Sequence, residues 1–144
     1  MNLSKSIKLT VVAALAVAAQ TALNSDVLDM QGFDGVMFIA LLGDVDSTCV
    51  LTLTAKGNTA NSISSPTPSA LGATDAFTAS ATTADSKVLL VDIFRPLQRY
   101  VFANLTRTTA NAAVGGIIAI QYKAGFKPTT QDATVIASKF AVGA

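Results

Sequence analysis

The chain has 144 residues, with ten Lys or Arg, nine Asp, no Glu, no His and no Trp, for a formal net charge of +1. That length makes one domain, large enough to bury about 70% of its unfolded surface without disulfides or metals. The missing imidazole excludes Ser-His and Cys-His catalysis and zinc sites made from Cys and His in sets. The near-zero charge excludes broad attraction to nucleic acid or anionic membrane. Charged residues are 13% of the chain and hydrophobic ones 51%, against about 25% charged in ordinary domains. The polar surface is therefore built mainly from Ser, Thr, Asn and Gln, which suits burial against a partner.

In chain order, Lys5 and Lys8 precede an apolar stretch from Leu9 to Ala19. The pattern fits a secretory leader and is too short for a membrane-spanning helix. The segment is expected to be retained, so that residues 1–25 form an ordered arm lying on the domain or on a partner. It is expected to be extended near its Thr-Val-Val start, with strand and helix both open beyond. Residues 26–144 then form the domain. Val27 to Met30 is a short strand. Val36 to Leu42, a continuous apolar run between Gly35 and Gly43, reads as a fully buried strand. Cys49 to Ala55 alternates, with Cys49, Leu51, Leu53 and Ala55 on one face, and is a half-buried strand.

Residues 58–86 form a long Thr-, Ser- and Ala-rich loop with Pro66 and Pro68 and one short strand at 76–79. Lys87 to Phe94 is a strand stopped at Arg95-Pro96. Residues 98–107 alternate again, with Tyr100, Phe102 and Asn104 facing away from Val101, Ala103 and Leu105. Ala113 to Lys123 is a strand with a bulge at Gly115-Gly116. Residues 133–142 are a final short strand or a tail. The expected class is all-β, a jelly roll or β-sandwich of about eight short antiparallel strands with an N-terminal arm.

Chemistry-bearing residues are few. Cys49 stands alone among strand formers and reads as a small buried hydrophobe. Asp44-Val45-Asp46 and Asp26 with Asp29 lack the spacing of a calcium loop and read as turn residues. Two Asp carboxylates alone do not make a glycosidase without a sugar-stacking partner. Asn104-Leu105-Thr106 is a sequon inside a strand. Catalytic, cofactor and metal residues are therefore expected to be none. Arg95, Arg99 and Arg107 are the only arginines. Each has three open readings: pairing with Asp92, capping a sheet edge, or bridging to another subunit. Tyr100 fits core packing, with an interface anchor as the alternative.

The stretch Val91-Asp92-Ile93-Phe94-Arg95-Pro96-Leu97-Gln98-Arg99-Tyr100-Val101 resembles short phage virion proteins in which a hydrophobic strand runs into Arg-Pro and then Arg-Tyr-Val. Residues 106–112, Ile117 to Tyr122 and Val27 to Val36 extend the resemblance over most of 26–128. The family is that of the jelly-roll cement, or decoration, proteins of tailed-bacteriophage capsids. The resemblance implies a non-enzymatic virion protein on the capsid exterior. Its partners would be the major capsid protein and its own copies, as a dimer or trimer, with no nucleic acid, membrane or small-molecule substrate. The alternatives are another virion part, such as a tail or head-completion protein, and a secreted bacterial β-domain with an N-terminal signal.

Overall fold

The computed structural model describes residues 2–143; Met1 and Ala144, the outer ends of the expected arm and domain, lie outside the described residues. A single 3-10 turn at Leu3–Lys5 precedes eleven strands. Sheet I contains β1 (Lys8–Ala13), β2 (Ala16–Ala19), β5 (Gly35–Val45), β9 (Val88–Phe94) and β11 (Ala112–Tyr122). Its order is β1-β11-β5-β9, with β2 continuing β1 along β11. Sheet II contains β3 (Leu23–Asn24), β4 (Leu28–Asp29), β6 (Val50–Asn58), β7 (Ser69–Ala73), β8 (Phe77–Thr78) and β10 (Tyr100–Thr108). Its order is β3-β10-β6-β7, with β4 beside β3 on β10 and β8 beside β7 on β6.

Every pairing is antiparallel. The eleven strands fill eight positions, because β1/β2, β3/β4 and β7/β8 are each one strand interrupted by a bend. The chain changes sheet at every connection between positions except the one from β6 to β7. This is the order of a jelly-roll sandwich.

The core lies between the sheets. Val12, Val36, Phe38, Ala40, Leu42, Ile117 and Ala119 of sheet I meet Leu51, Leu53, Ala55, Val101, Ala103 and Leu105 of sheet II. The alternation expected for Cys49 to Ala55 holds, since all four inward residues are fully buried. The bulge expected at Gly115-Gly116 appears as register shifts in the β11–β5 pairing between Ala112 and Gly116.

Three expectations change. The segment read as an arm is woven into both sheets: β1 and β2 pair with β11, and β3 pairs with β10. A Thr-Val-Val stretch with alternate residues buried is better satisfied in a ladder than lying across a surface. The run Val36–Leu42 alternates instead of being fully buried, with Val36, Phe38, Ala40 and Leu42 inside and Leu41 exposed; the strand runs through Gly43 to Val45. Residues 58–86 contain two strands, because Ser69–Ala73 also pairs with β6. Of the two readings open for 133–142, strand or tail, the tail holds, since no strand forms there.

That tail begins by covering an edge. The Gln131 amide accepts from the Leu9 N–H at 2.8 Å and donates to the carbonyls of Ser4 and Ile7 at 2.9 and 2.8 Å. Thr134 Oγ1 accepts from the Val11 N–H at 2.9 Å. Side chains thus occupy the outer ladder positions of β1, which otherwise would be open to another strand.

Candidate functional site

The two outer faces of the sandwich differ in chemistry. On sheet II the outward positions pair Phe102 with Lys56, Asn104 with Thr54, Thr106 with Thr52 and Thr108 with Val50; they are mostly polar, and Phe102 and Asn104 are buried. On sheet I the outward positions are aliphatic. Register places Val11, Ile118, Ile39 and Leu90 in one row across all four strands. Leu9, Ile120, Met37 and Asp92 make the next row, and Leu41 lies beside Val88 on the other side. Val11, Leu41, Val88, Leu90 and Phe94 are exposed. Strand spacing and rise make this patch on the order of 400 Å², the size at which an exposed apolar patch on a monomer is often functional.

Asp92 is the single charge in those rows. It accepts a hydrogen bond from the Tyr122 phenol at 2.6 Å. The ring reaches it by lying across β5, where a Cβ at Gly35 would overlap it. Burial, with Asp92 as the second cause, pushes the Tyr122 hydroxyl up to about 12.

At one end of the sandwich the β4–β5 turn, the β9–β10 turn and the chain after β11 come together. Arg95 N–H donates to the Asp34 carbonyl at 2.6 Å, Asp34 N–H to Tyr122 at 3.2 Å, and Gly125 N–H to Gly32 at 2.9 Å. Open clefts run between these loops around Phe33 and Asp34. Two loop tips are almost wholly exposed, Leu97 at 92% and Phe126 at 90%.

The three arginines separate. Arg99 donates from Nε and Nη2 to both carboxylate oxygens of Asp29 at 2.9 and 2.8 Å, and its plane lies over the Tyr100 ring. The hydrogen bond from Arg99 holds the Asp29 carboxyl below its ordinary value. Arg95 lies over Phe94 with φ at 54°. Arg107 is buried at 3% exposure. It donates to the carbonyls of Thr21, Val17 and Ala112 at 2.9, 3.0 and 2.7 Å. Thus Arg99 pairs with Asp29 and Arg107 clamps backbone; neither reaches Asp92, whose carboxylate accepts from Tyr122 instead. Tyr100 is half-buried under Arg99 and Phe102, two residues on, is fully buried.

Cys49 is a buried free thiol that burial pushes up, as expected of a small hydrophobe. No group of three or more metal-ligating side chains occurs among the described residues. The Asn104 amide of the sequon is buried and donates to Asn24 Oδ1 at 2.6 Å. No helix among the described residues is long and apolar enough to cross a membrane. The aliphatic outer face was missed from sequence. Its signal was the uninterrupted run Val36–Leu42: being apolar on both strand faces, it marks either burial on both or an uncovered face on one.

No protein-family model and no curated protein sequence matches the chain. Among solved structures, the chain is similar to one in the structure of infectious bursal disease virus, Gx strain, with a TM-score of 0.54 and 11% identity. The match covers 85% of this chain and 34% of that one, so this chain spans about a third of that chain's length. A chain from Bacillus endospore appendages, described as a novel family of disulfide-linked pili, gives a TM-score of 0.49 at 17% identity, covering 87% of this chain and 95% of that one. Eiger TNF from S. frugiperda gives 0.40 at 8% identity, covering 88% and 99%. The likeness to the viral chain is one of fold, a β-sandwich.

Proposed function

We propose that this chain is a structural virion protein that binds the outside of a phage capsid and cements neighbouring major capsid proteins. The observation that carries the reading is the aliphatic outer face of sheet I, crossing all four strands on a chain with few charges. A jelly-roll sandwich with one face mostly polar and the other mostly aliphatic and exposed offers the second as its docking side. The resemblance of residues 91–101 and their surroundings to phage cement proteins supplies the partner. Exposed Leu97 and Phe126 at the loop end give a second contact for a neighbouring capsomer. A molecule bridging two capsomers gains effective concentration at its second contact, so modest contacts suffice. Binding only the assembled shell shifts the equilibrium toward it.

The test pairs a particle assay with a face variant. Particles lacking the protein form but burst at lower temperature and milder osmotic shock, and adding it back restores them. Ile118→Lys, on an outward position, folds normally yet binds shells at least tenfold more weakly. Equal particle stability with and without the protein would overturn the reading. Hundreds of copies per particle are expected, against tens or fewer for a head-completion part.

A further inference from the structure

We infer that a second copy of this chain docks on the open edge of β9, and that the segment which docks is its C-terminal arm, residues 135–143. The inference does not rest on the capsid partner.

Lys87 O accepts from Leu42 N and Arg95 N donates to Asp34 O, so the odd-numbered residues of β9 face β5. Antiparallel pairing then turns the N–H and C=O groups of Val88, Leu90, Asp92 and Phe94 outward. No turn, loop or side-chain hydrogen bond reaches these groups among the described residues. At the far edge of the same sheet, Gln131 and Thr134 cap the corresponding groups of β1. In sheet II both edges are broken into pieces of two to five residues. β9 is therefore a seven-residue apolar edge left as a template for strand addition.

The chain also carries a strand without a sheet. Beyond Thr134 it runs Val-Ile-Ala-Ser-Lys-Phe-Ala-Val-Gly, and every residue from Ile136 to Gly143 is exposed, Ile136 at 98%. Its β-branched and aromatic residues favour a ladder, and its one charge is Lys139. β9 likewise carries one charge, Asp92. An antiparallel register that pairs Lys139 with Asp92 sets Ala137 beside Phe94 and Ala141 beside Leu90 on the outer face. Phe140 and Val142 then fall on the inner side, next to Val91 and Leu89. There an apolar cleft of about 180 Å³ opens between Leu42, Phe77, Ala84 and Leu89. One register thus pairs the two charges, fills the open backbone groups and sets Val142 beside Leu89, which lines the cleft. Reciprocal exchange closes a dimer, and exchange in one direction gives a ring where the rotation closes and a filament where it does not.

The full chain is expected to sediment as an oligomer of a 14.7 kDa protomer. A chain ending at Thr134 keeps the β1 cap and is expected to be monomeric. Leu90→Pro removes only an outward N–H, so it keeps the β5 ladder and weakens association at least tenfold. Lys139→Asp weakens it severalfold, and adding Asp92→Lys restores it. Amide exchange at Leu90, Asp92 and Phe94 slows at least tenfold in the full chain relative to the shortened one. A monomeric full chain at high concentration overturns the proposal, whether those amides exchange freely or are protected by the chain's own tail. So does an oligomer that survives both the truncation and Leu90→Pro.

Discussion

Arg107 is a buried side chain that ties three stretches of backbone together. Its neighbour Leu105 was legible as a strand residue, whereas Thr108, read as the start of a turn, is the last residue of β10; the place of Arg107 on the face shared with Arg99 followed from parity. What parity does not give is depth: Arg99 is exposed at the loop end, whereas Arg107 is buried against Val17, Thr21 and Ala112. Replacing it with Met leaves three carbonyls without donors. A loss of about 3 kcal/mol is expected, read as a lower urea midpoint, and Lys recovers little because one ammonium does not span the fork. A change under about 1 kcal/mol would contradict the clamp. Tyr122 gives a test in pH. Its hydroxyl is raised from 10.0 to about 12 in the folded chain, so its contribution is complete below pH 10 and is lost as pH rises through 12. The melting temperature should therefore fall more steeply from pH 10 to 12 in the wild type than in Tyr122→Phe. Parallel slopes would show that the hydroxyl does not couple to folding.

Among elements, the strands whose inner faces make the core were the legible ones. Cys49–Ala55 and Lys87–Phe94 combine alternation or β-branched density with clear stops, and both form, as Val50–Asn58 and Val88–Phe94. The short strands β3 and β7 were not legible, because two to five residues of Leu, Asn, Ser, Ala and Gly carry no periodicity; a long neighbour recruits them. Ser25 shows how: its hydroxyl accepts from Ala103 N–H while its own N–H donates to Ala103 O, bridging the break between β3 and β4. The tail on β1 works in the same way through side chains. Gln131→Ala removes three hydrogen bonds and should speed amide exchange at Leu9 at least tenfold, leaving Phe38 and Ala119 in the middle of the sheet unchanged. If the Leu9 amide stays protected, Gln131 is not its cover.

At the scale of the whole molecule, the jelly-roll order sends β1 and β9 to opposite edges of one sheet and leaves its outer side uncovered. The same topology gathers three connections at one end, so Leu97 and Phe126, 29 positions apart in sequence, project from one loop cluster. The proposed cementing role and strand exchange use different parts of this arrangement, a sheet face with a loop end in one case and a sheet edge in the other. A molecule can then bind a shell and its own copies at once, and removal of either contact leaves the other measurable.

Composition, turn residues and period-two patterning fixed the class of this protein from its sequence: an all-β sandwich, short of charge, with Cys49 inside and no imidazole for catalysis. They also told which residues share a strand face, because that depends only on neighbours along the chain. The tertiary structure decided which of those faces meets another sheet and which meets solvent. Burial is a property of what packs across about 10 Å of space, not of the strand that is buried. For that reason Val36–Leu42 read as covered on both sides, and the segment ahead of Asp26 read as an arm, until the sheets were assembled around them.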